Sequence, residues 1–225
     1  GVKQLVAGGG VALIGVTLVP LLSGLENYAL EHSRAPEDIL LERGEMTGPP
    51  LVDGFQEITG MTCEEAVTAT AKYRERYGVI GLFENKPYEG IEQVLSELKK
   101  QGKLLALATS KPETYAIRIL QHFHLMKYFD ETVGSELDGT RNDKAEVIRE
   151  ALRRLNISKE EYRDVIMVGD RRHDIIGAEK CGIESLGVYY GFAEPGELEQ
   201  AGADHIAHSV SDVLEIVGAE GMKER

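Results

Sequence analysis

From residue 87 onward the apolar positions alternate between helical stripes and short continuous runs. Pro87-Tyr88-Glu89-Gly90 opens a stretch in which Ile91, Val94, Leu95 and Leu98 share one helical face, and Gly102 closes it. Residues 104–108 form an apolar run that suits a strand buried on both faces. Thr109-Ser110-Lys111-Pro112 then leads into a helix through about His122, and 129–133 reads as the next strand. Residues 144–155 carry a helical stripe of Ala145, Ile148, Ala151, Leu152 and Leu155. Ser158 and Glu161 have the spacing of a capping box. Residues 165–168 give the clearest strand, 174–181 a helix stopped by Gly182, and 185–189 another strand. A short helix at 195–200, an edge strand at 205–207 and a last helix at 211–217 complete the pattern. Repeated strand–helix units predict an α/β fold: a doubly wound parallel-sheet, Rossmann-like core with right-handed crossovers.

Residues 22–83 have another texture. Helical patterns occupy 25–32, 37–43, 51–58 and 63–77, and Thr62 and Glu65 have capping-box spacing before the last of them. No convincing strand interrupts them. The expected organisation is a core of residues 1–21 and 84–225 with an α-helical cap inserted at 22–83.

Residues 5–25 contain no charged side chain. About twenty such residues can span a bilayer. The glycines in the run and Pro20 instead favour a buried first strand with its loop over a signal or anchor. The chain carries 25 Lys and Arg against 38 Asp and Glu, a formal charge of −13. Such a surface repels nucleic acid and anionic membrane, so neither is expected as a partner. An anionic substrate would need a metal or a lysine close by. Cys63 and Cys181 have no metal spacing and read as reduced thiols of a cytoplasmic protein, with no catalytic role.

Ligands of parallel sheets bind beyond the carboxyl ends of the strands, and three candidate sites fall there. Thr109 and Ser110 offer hydroxyls and backbone N–H groups at a helix start, an anion site; the plainer reading is a helix cap before Pro112. Lys144 opens a helix against the dipole, which suits a cation that holds phosphate; the plainer reading is a solvated lysine. Asp170 and Asp174, after the strand at 165–168, can converge on a hard cation such as Mg²⁺; the plainer reading is a turn and a helix cap. His122, His124, His205 and His208 lack metal spacing, and His173 carries no assigned role. Arg141 and Asn142 could face a substrate, although a solvated loop accounts for them better. Asp138-Gly139-Thr140 reads as a loop.

Taken in order, Ala108-Thr109-Ser110-Lys111-Pro112, the stretch from Gly134 to Lys144, and Val168-Gly169-Asp170-Arg171-Arg172-His173-Asp174 resemble motifs II, III and IV of the haloacid dehalogenase superfamily. The nearest likeness is to its phosphoglycolate-phosphatase-like branch, which carries a helical cap; Gly48-Pro49-Pro50-Leu51 resembles that branch's cap loop. The resemblance covers about residues 22–217. It implies Mg²⁺-dependent hydrolysis of a small phosphorylated metabolite through an aspartyl-phosphate. Thr109 and Ser110 would hold phosphate oxygens, with Gly48 and Pro49 contributing from the cap. Lys144 would neutralise nucleophile and phosphate, and Asp170 and Asp174 would hold Mg²⁺. A monomer or homodimer is expected.

Motif I is not matched. No Asp or Glu precedes Glu26. The family's spacing puts the nucleophile near Gly10 and the acid/base near Ala12; a second alignment puts them at Ala12 and Ile14. Neither pair supplies a carboxylate. The chain is then a catalytically inactive phosphate- or partner-binding protein, an engineered or damaged variant, or a phosphatase whose residues 5–24 are mis-stated, for example through a frameshift. The abrupt mismatch beside intact later motifs favours the last. Haloacid dehalogenase chemistry, which needs no metal, is a further alternative that the pair Asp170 and Asp174 opposes.

Overall fold

In the computed structural model, residues 11–14, 52, 55–56, 60–83, 86–136, 140–141 and 143–218 are described. Among them, six parallel strands form one sheet: β1 (Val11–Ile14), β2 (Leu104–Pro112), β3 (Glu131–Ser135), β4 (Val165–Gly169), β5 (Glu184–Val188) and β6 (His205–Ala207). Their spatial order is β3-β2-β1-β4-β5-β6, with every pairing parallel. The chain reverses its direction of travel across the sheet between β1 and β4. That reversal point is where open α/β sheets place ligands. β1 is central, as the buried-strand reading of the uncharged segment expects. Among the described residues no helix is long and apolar enough to cross a membrane.

The helices of this part are α2 (Ile91–Lys100), α3 (Glu113–His122), α4 (Lys144–Arg154), α5 (Arg172–Cys181), the short α6 (Glu197–Gln200) and α7 (Val210–Gly218). An earlier helix, α1 (Cys63–Tyr77), belongs to the cap region. α2 buries Ile91, Val94, Leu95 and Leu98, the stripe seen in the sequence. Each such side chain contributes roughly 1.5–3 kcal/mol when fully removed from water. Ala106, Ala108, Val133, Val165 and Met167 of the sheet pack with Val147, Ile148, Ala151 and Leu152 of α4 and Ala178 of α5. β4 is buried along its whole length.

By contact, the chain divides into a unit of Gly1–Leu18 with Pro87–Arg225 and a unit of Val19–Lys86. In the second, Thr62 and Glu65 close the capping box: the Thr62 N–H donates to Glu65 Oε2 at 2.9 Å and the Glu65 N–H to Thr62 Oγ1 at 3.3 Å. The Thr62 N–H, and then the Thr62 hydroxyl, which donates to Glu65 Oε2 at 2.9 Å, hold the Glu65 carboxyl below its usual range. Phe55 and Ala66 form a small core there with Met61 and Ala69 packed on it. The expected helices at 25–32 and 37–43 lie outside the described residues.

The structure corrects several boundaries. β2 does not stop at 108 but stays extended through Pro112, with its register against β3 shifting between Ala108 and Pro112. β3 starts at Glu131 rather than 129, and α5 at Arg172 rather than 174. The bulged end of β2 is possible because Gly134 faces it: a Cβ there would lie 2.6 Å from the Glu113 nitrogen.

Glu113 ties this region together. It accepts from Arg154 Nη1 and Nη2, each at 3.0 Å, and from the Gly134 N–H at 3.3 Å, and it pairs with Arg141 at 3.4 Å. α3, β3 and α4 are thereby clamped around one carboxylate. Glu113→Ala is expected to destabilise the protein by about 1–3 kcal/mol, since Arg154 and the Gly134 N–H lose their acceptor. Urea unfolding checks this; an unchanged midpoint would show that water replaces the clamp at no cost.

Candidate active site

The site grows from the register of β1. Ile14 is level with Leu107 on one side and Val168 on the other. Ala108 and Gly169, one residue further along their strands, therefore mark the carboxyl edge, and Thr109, Ser110 and Asp170 follow directly. The positions assigned to a nucleophile from family spacing do not lie at that edge. Ala12 pairs with Leu105 and Ile166 in the middle of the sheet, and Gly10 precedes β1 altogether. A strand advances about 3.3 Å per residue, so Ala12 is well short of the ligand side.

Thr109 is buried, and its Oγ1 accepts the Lys111 N–H at 3.1 Å. This local turn of a hydroxyl onto its own backbone keeps Thr109–Pro112 out of the helix. Ser110 is exposed, and its carbonyl accepts from Ser135 Oγ at 2.8 Å. The helix-start anion site expected here is corrected accordingly: α3 begins at Glu113, three residues after Ser110. Ser110 presents its hydroxyl from a strand end pinned by Ser135.

Lys144 is the first residue of α4 and is 7% exposed. Asp143 caps the helix through its Oδ1, which accepts the Ala145 N–H at 2.8 Å. Lys180 pairs with Asp143 at 2.9 Å and, as the largest cause, holds its carboxyl below the usual range. The Lys144 ammonium runs inward, not to solvent. It donates to the Ala108 carbonyl at 3.1 Å and pairs with Asp174 Oδ1 at 2.8 Å. Its stem passes over Gly177, where a Cβ would lie 2.6 Å from Lys144 Cγ.

Asp174 stands in the first turn of α5 and is 4% exposed. Its Oδ2 accepts the Arg171 N–H at 3.2 Å, so it also closes the helix's first turn. Asp170 is equally buried; its Oδ2 accepts the Phe192 N–H at 3.0 Å. Gly191 leaves the space that the Asp170 carboxyl occupies, since a Cβ there would overlap it. Burial, and then the Asp174 carboxylate, push the Asp170 carboxyl up to about 6. Two buried carboxylates stand beside the single Lys144 ammonium, and the arrangement is short of positive charge. Their oxygens are the donor type a divalent hard cation takes, so the residues present fit Mg²⁺ with two side-chain ligands and the rest from water and phosphate. Among the described residues no group of three or more His, Cys, Asp or Glu is placed to hold a metal.

Gly48 and Pro49 lie outside the described residues, as does Asn142. Arg141 does not face a substrate: it pairs with Glu113, Glu136 and Glu150. Sequence reasoning missed the Ala108 carbonyl, Gly177, Gly191 and the Phe192 N–H. Gly177 had a signal, being a glycine inside a helix at a cost of about 1 kcal/mol relative to Ala. The backbone groups had none.

A model of the family described as haloacid dehalogenase-like hydrolase matches residues 22–188. A second, the Maff2 family, matches residues 1–26. A 5'-nucleotidase of Pseudomonas aeruginosa is 36% identical over 190 residues, covering 84% of this chain and 85% of that protein. A pyrophosphatase of Halalkalibacterium halodurans is 34% identical over 178 residues, covering 78% and 79%. A crystal structure described as a predicted phosphatase from Clostridium acetobutylicum superposes with a TM-score of 0.78 at 37% identity, covering 93% of this chain and 98% of that one.

Two outcomes follow for the site itself. In the metal-free protein Asp170 keeps its proton to about pH 6, whereas its ordinary value is 3.8. The group therefore favours the folded state below about pH 4, and that contribution is lost as pH rises through 6. Asp170→Asn, which retains an acceptor for Phe192, is expected to be the more stable form at pH 7 by on the order of 1–3 kcal/mol and no more stable at pH 4. Thermal melts in chelator check this, and equal melting temperatures at pH 7 would contradict it. Gly177→Ala should destabilise by roughly 1–3 kcal/mol despite alanine's better helix propensity, because Lys144 must move; denaturant titration reads it.

Proposed function

The chain belongs to the haloacid dehalogenase-like hydrolases, among relatives that are phosphatases, and from that membership we propose that it is built for Mg²⁺-dependent hydrolysis of a small phosphate monoester. The observation that carries this is the buried assembly of Lys144, Asp174 and Asp170 at the carboxyl edge. Ser110 Oγ, exposed at the same edge, would donate to a phosphate oxygen. The Lys144 ammonium would offset the charge of phosphate and nucleophile. Asp170 and Asp174 would hold Mg²⁺, which supplies charge neutralisation at the phosphoryl oxygens when bound. The region 22–83 would act as the cap that selects the substrate. A phosphoglycolate-like substrate rests on the family resemblance; the relatives' names span a nucleotidase and a pyrophosphatase.

The attacking carboxylate is the missing part. No Asp or Glu precedes Glu26, and the hydrolase family's match begins only at residue 22. The segment where motif I belongs matches another family instead. This abrupt junction supports the reading of a phosphatase whose residues 5–24 are mis-stated. The rival reading, a binding protein without turnover, describes the chain as it stands. Both give phosphate binding without hydrolysis for this sequence, and they part when a nucleophile is returned.

Gly15 is the next residue after β1. The double substitution Gly15→Asp with Thr17→Asp puts an Asp-x-Asp pair directly after the strand. With p-nitrophenyl phosphate, the chain as given is expected to show no turnover. The double variant should show turnover that EDTA abolishes and that Lys144→Ala lowers about a hundredfold or more. Metal-independent release, or turnover by the unsubstituted chain, would refute the assignment of roles. Continued inactivity of the double variant, with phosphate still bound, would favour the binding protein.

A further inference from the structure

Asp170 has a second layer of support. Its carboxylate accepts the Phe192 N–H and lies against Gly191. Both belong to the turn that follows β5. A turn of this kind is not rigid by itself, because its backbone is outside the sheet ladder. Something must fix it if Asp170 is to stay in one place. The start of the turn is tied by Tyr189, whose N–H donates to the Ala207 carbonyl at 2.9 Å and whose ring stacks on His208, and the contact next to Gly191 is Tyr88. Its ring meets the ring of Tyr190 edge to face, with centroids 5.1 Å apart and planes at 76°. Such pairs contribute beyond their buried area and prefer this geometry. Tyr190 directly precedes Gly191. Tyr88 is the second residue of the core after Val19–Lys86 and belongs to the same unit as Tyr190. The Asp170 charge is also near enough to raise the Tyr88 phenol, after burial, which raises it most.

We infer that Tyr88 is a positioning residue for Asp170: through its edge-to-face contact with Tyr190 it fixes the turn whose Gly191 and Phe192 N–H hold that carboxylate for a cation. The cation part of this rests on the Mg²⁺ reading above; the positioning part does not. Tyr88 reaches Asp170 through Tyr190 and the turn, and what it controls is the orientation of one carboxylate. The ring does this, not the hydroxyl, so phenylalanine should substitute for it.

The test uses the full chain and two measurements. Hydrogen exchange at the Phe192 amide, without metal, reads the turn. Tyr88→Ala should speed that exchange roughly tenfold or more while the amides of α4 keep their protection, and Tyr88→Phe should leave it as in the parent. Titration with Mg²⁺ alone, by calorimetry, reads the consequence. Tyr88→Ala should weaken binding on the order of tenfold, Tyr88→Phe should not, and Asp170→Asn should abolish it. Unchanged Phe192 exchange in Tyr88→Ala overturns the inference. So does a loss in Tyr88→Phe equal to that in Tyr88→Ala, which would assign the effect to the hydroxyl. If the parent binds no Mg²⁺, the metal reading fails, and the exchange result still decides whether Tyr88 positions the turn.

Discussion

The buried ammonium of Lys144 is the constraint on which the rest of the site depends. A lysine with 7% exposure must have its charge answered within the protein. Asp174 and the Ala108 carbonyl answer it, at 2.8 and 3.1 Å. Those partners come from the end of β2 and the start of α5, so one cation ties together two strand–helix junctions that are far apart in sequence. The arrangement needs close backbone approach, and Gly177 allows it under the lysine stem. Replacing a buried ion pair by apolar residues is often neutral or stabilising. A fold that needed only packing here would have no use for Lys144 and Asp174. Their presence is better explained by a ligand than by stability.

Charge balance says what kind of ligand. The inner site holds one ammonium and two carboxylates, and burial with the Asp174 charge already pushes the Asp170 carboxyl up to about 6. The surface beyond is acidic, at −13 for the whole chain. A phosphate entering alone would add negative charge to a site that is short of positive charge. A divalent cation would reverse this: it would favour the ionised Asp170 carboxylate and give the phosphate a partner. The cation and the phosphate are therefore coupled, each improving the site for the other. In that proposal Lys144 would serve both, through Asp174 on one side and through its own charge on the other.

Much of this was legible in the sequence because it is periodic or carried by residue type. The stripe of Ile91, Val94, Leu95 and Leu98, the run at 165–168 and the alternation of strand and helix follow from burial, and burial writes itself into hydrophobic pattern. The later motifs place Ser110, Lys144, Asp170 and Asp174 at the strand ends because carboxylates and a lysine there are rare without a reason. The illegible part consists of backbone and absence. The extension of β2 through Pro112 depends on Thr109 Oγ1 taking the Lys111 N–H and on Gly134 opposite, a tertiary fit with no local signature. The Phe192 N–H under Asp170 is invisible because every residue but proline has one. The first strand lies inside the uncharged segment as expected, and only the nucleophile positions carried over from family spacing, Gly10 and Ala12, fall short of its carboxyl end, in a segment that matches another family.

That last point separates two demands on β1. As the central strand it must be extended and pair with β2 and β4, and Val11–Ile14 meets this with four residues of strand-compatible type. As a catalytic strand it must deliver a carboxylate just beyond its end, and no residue before Glu26 can. The sheet makes no use of that carboxylate, so its loss is not resisted by folding. The binding residues are different: Lys144 and Asp174 are bound to each other and to β2, so losing either leaves a buried charge unpaired and costs stability on the order of 3–5 kcal/mol. Folding thus protects Lys144 and Asp174, the half of the site proposed to bind phosphate and cation, while a nucleophile would be protected only by selection for turnover. A chain that carries the later motifs from β2 onward and no carboxylate at β1 is a pattern that this asymmetry permits.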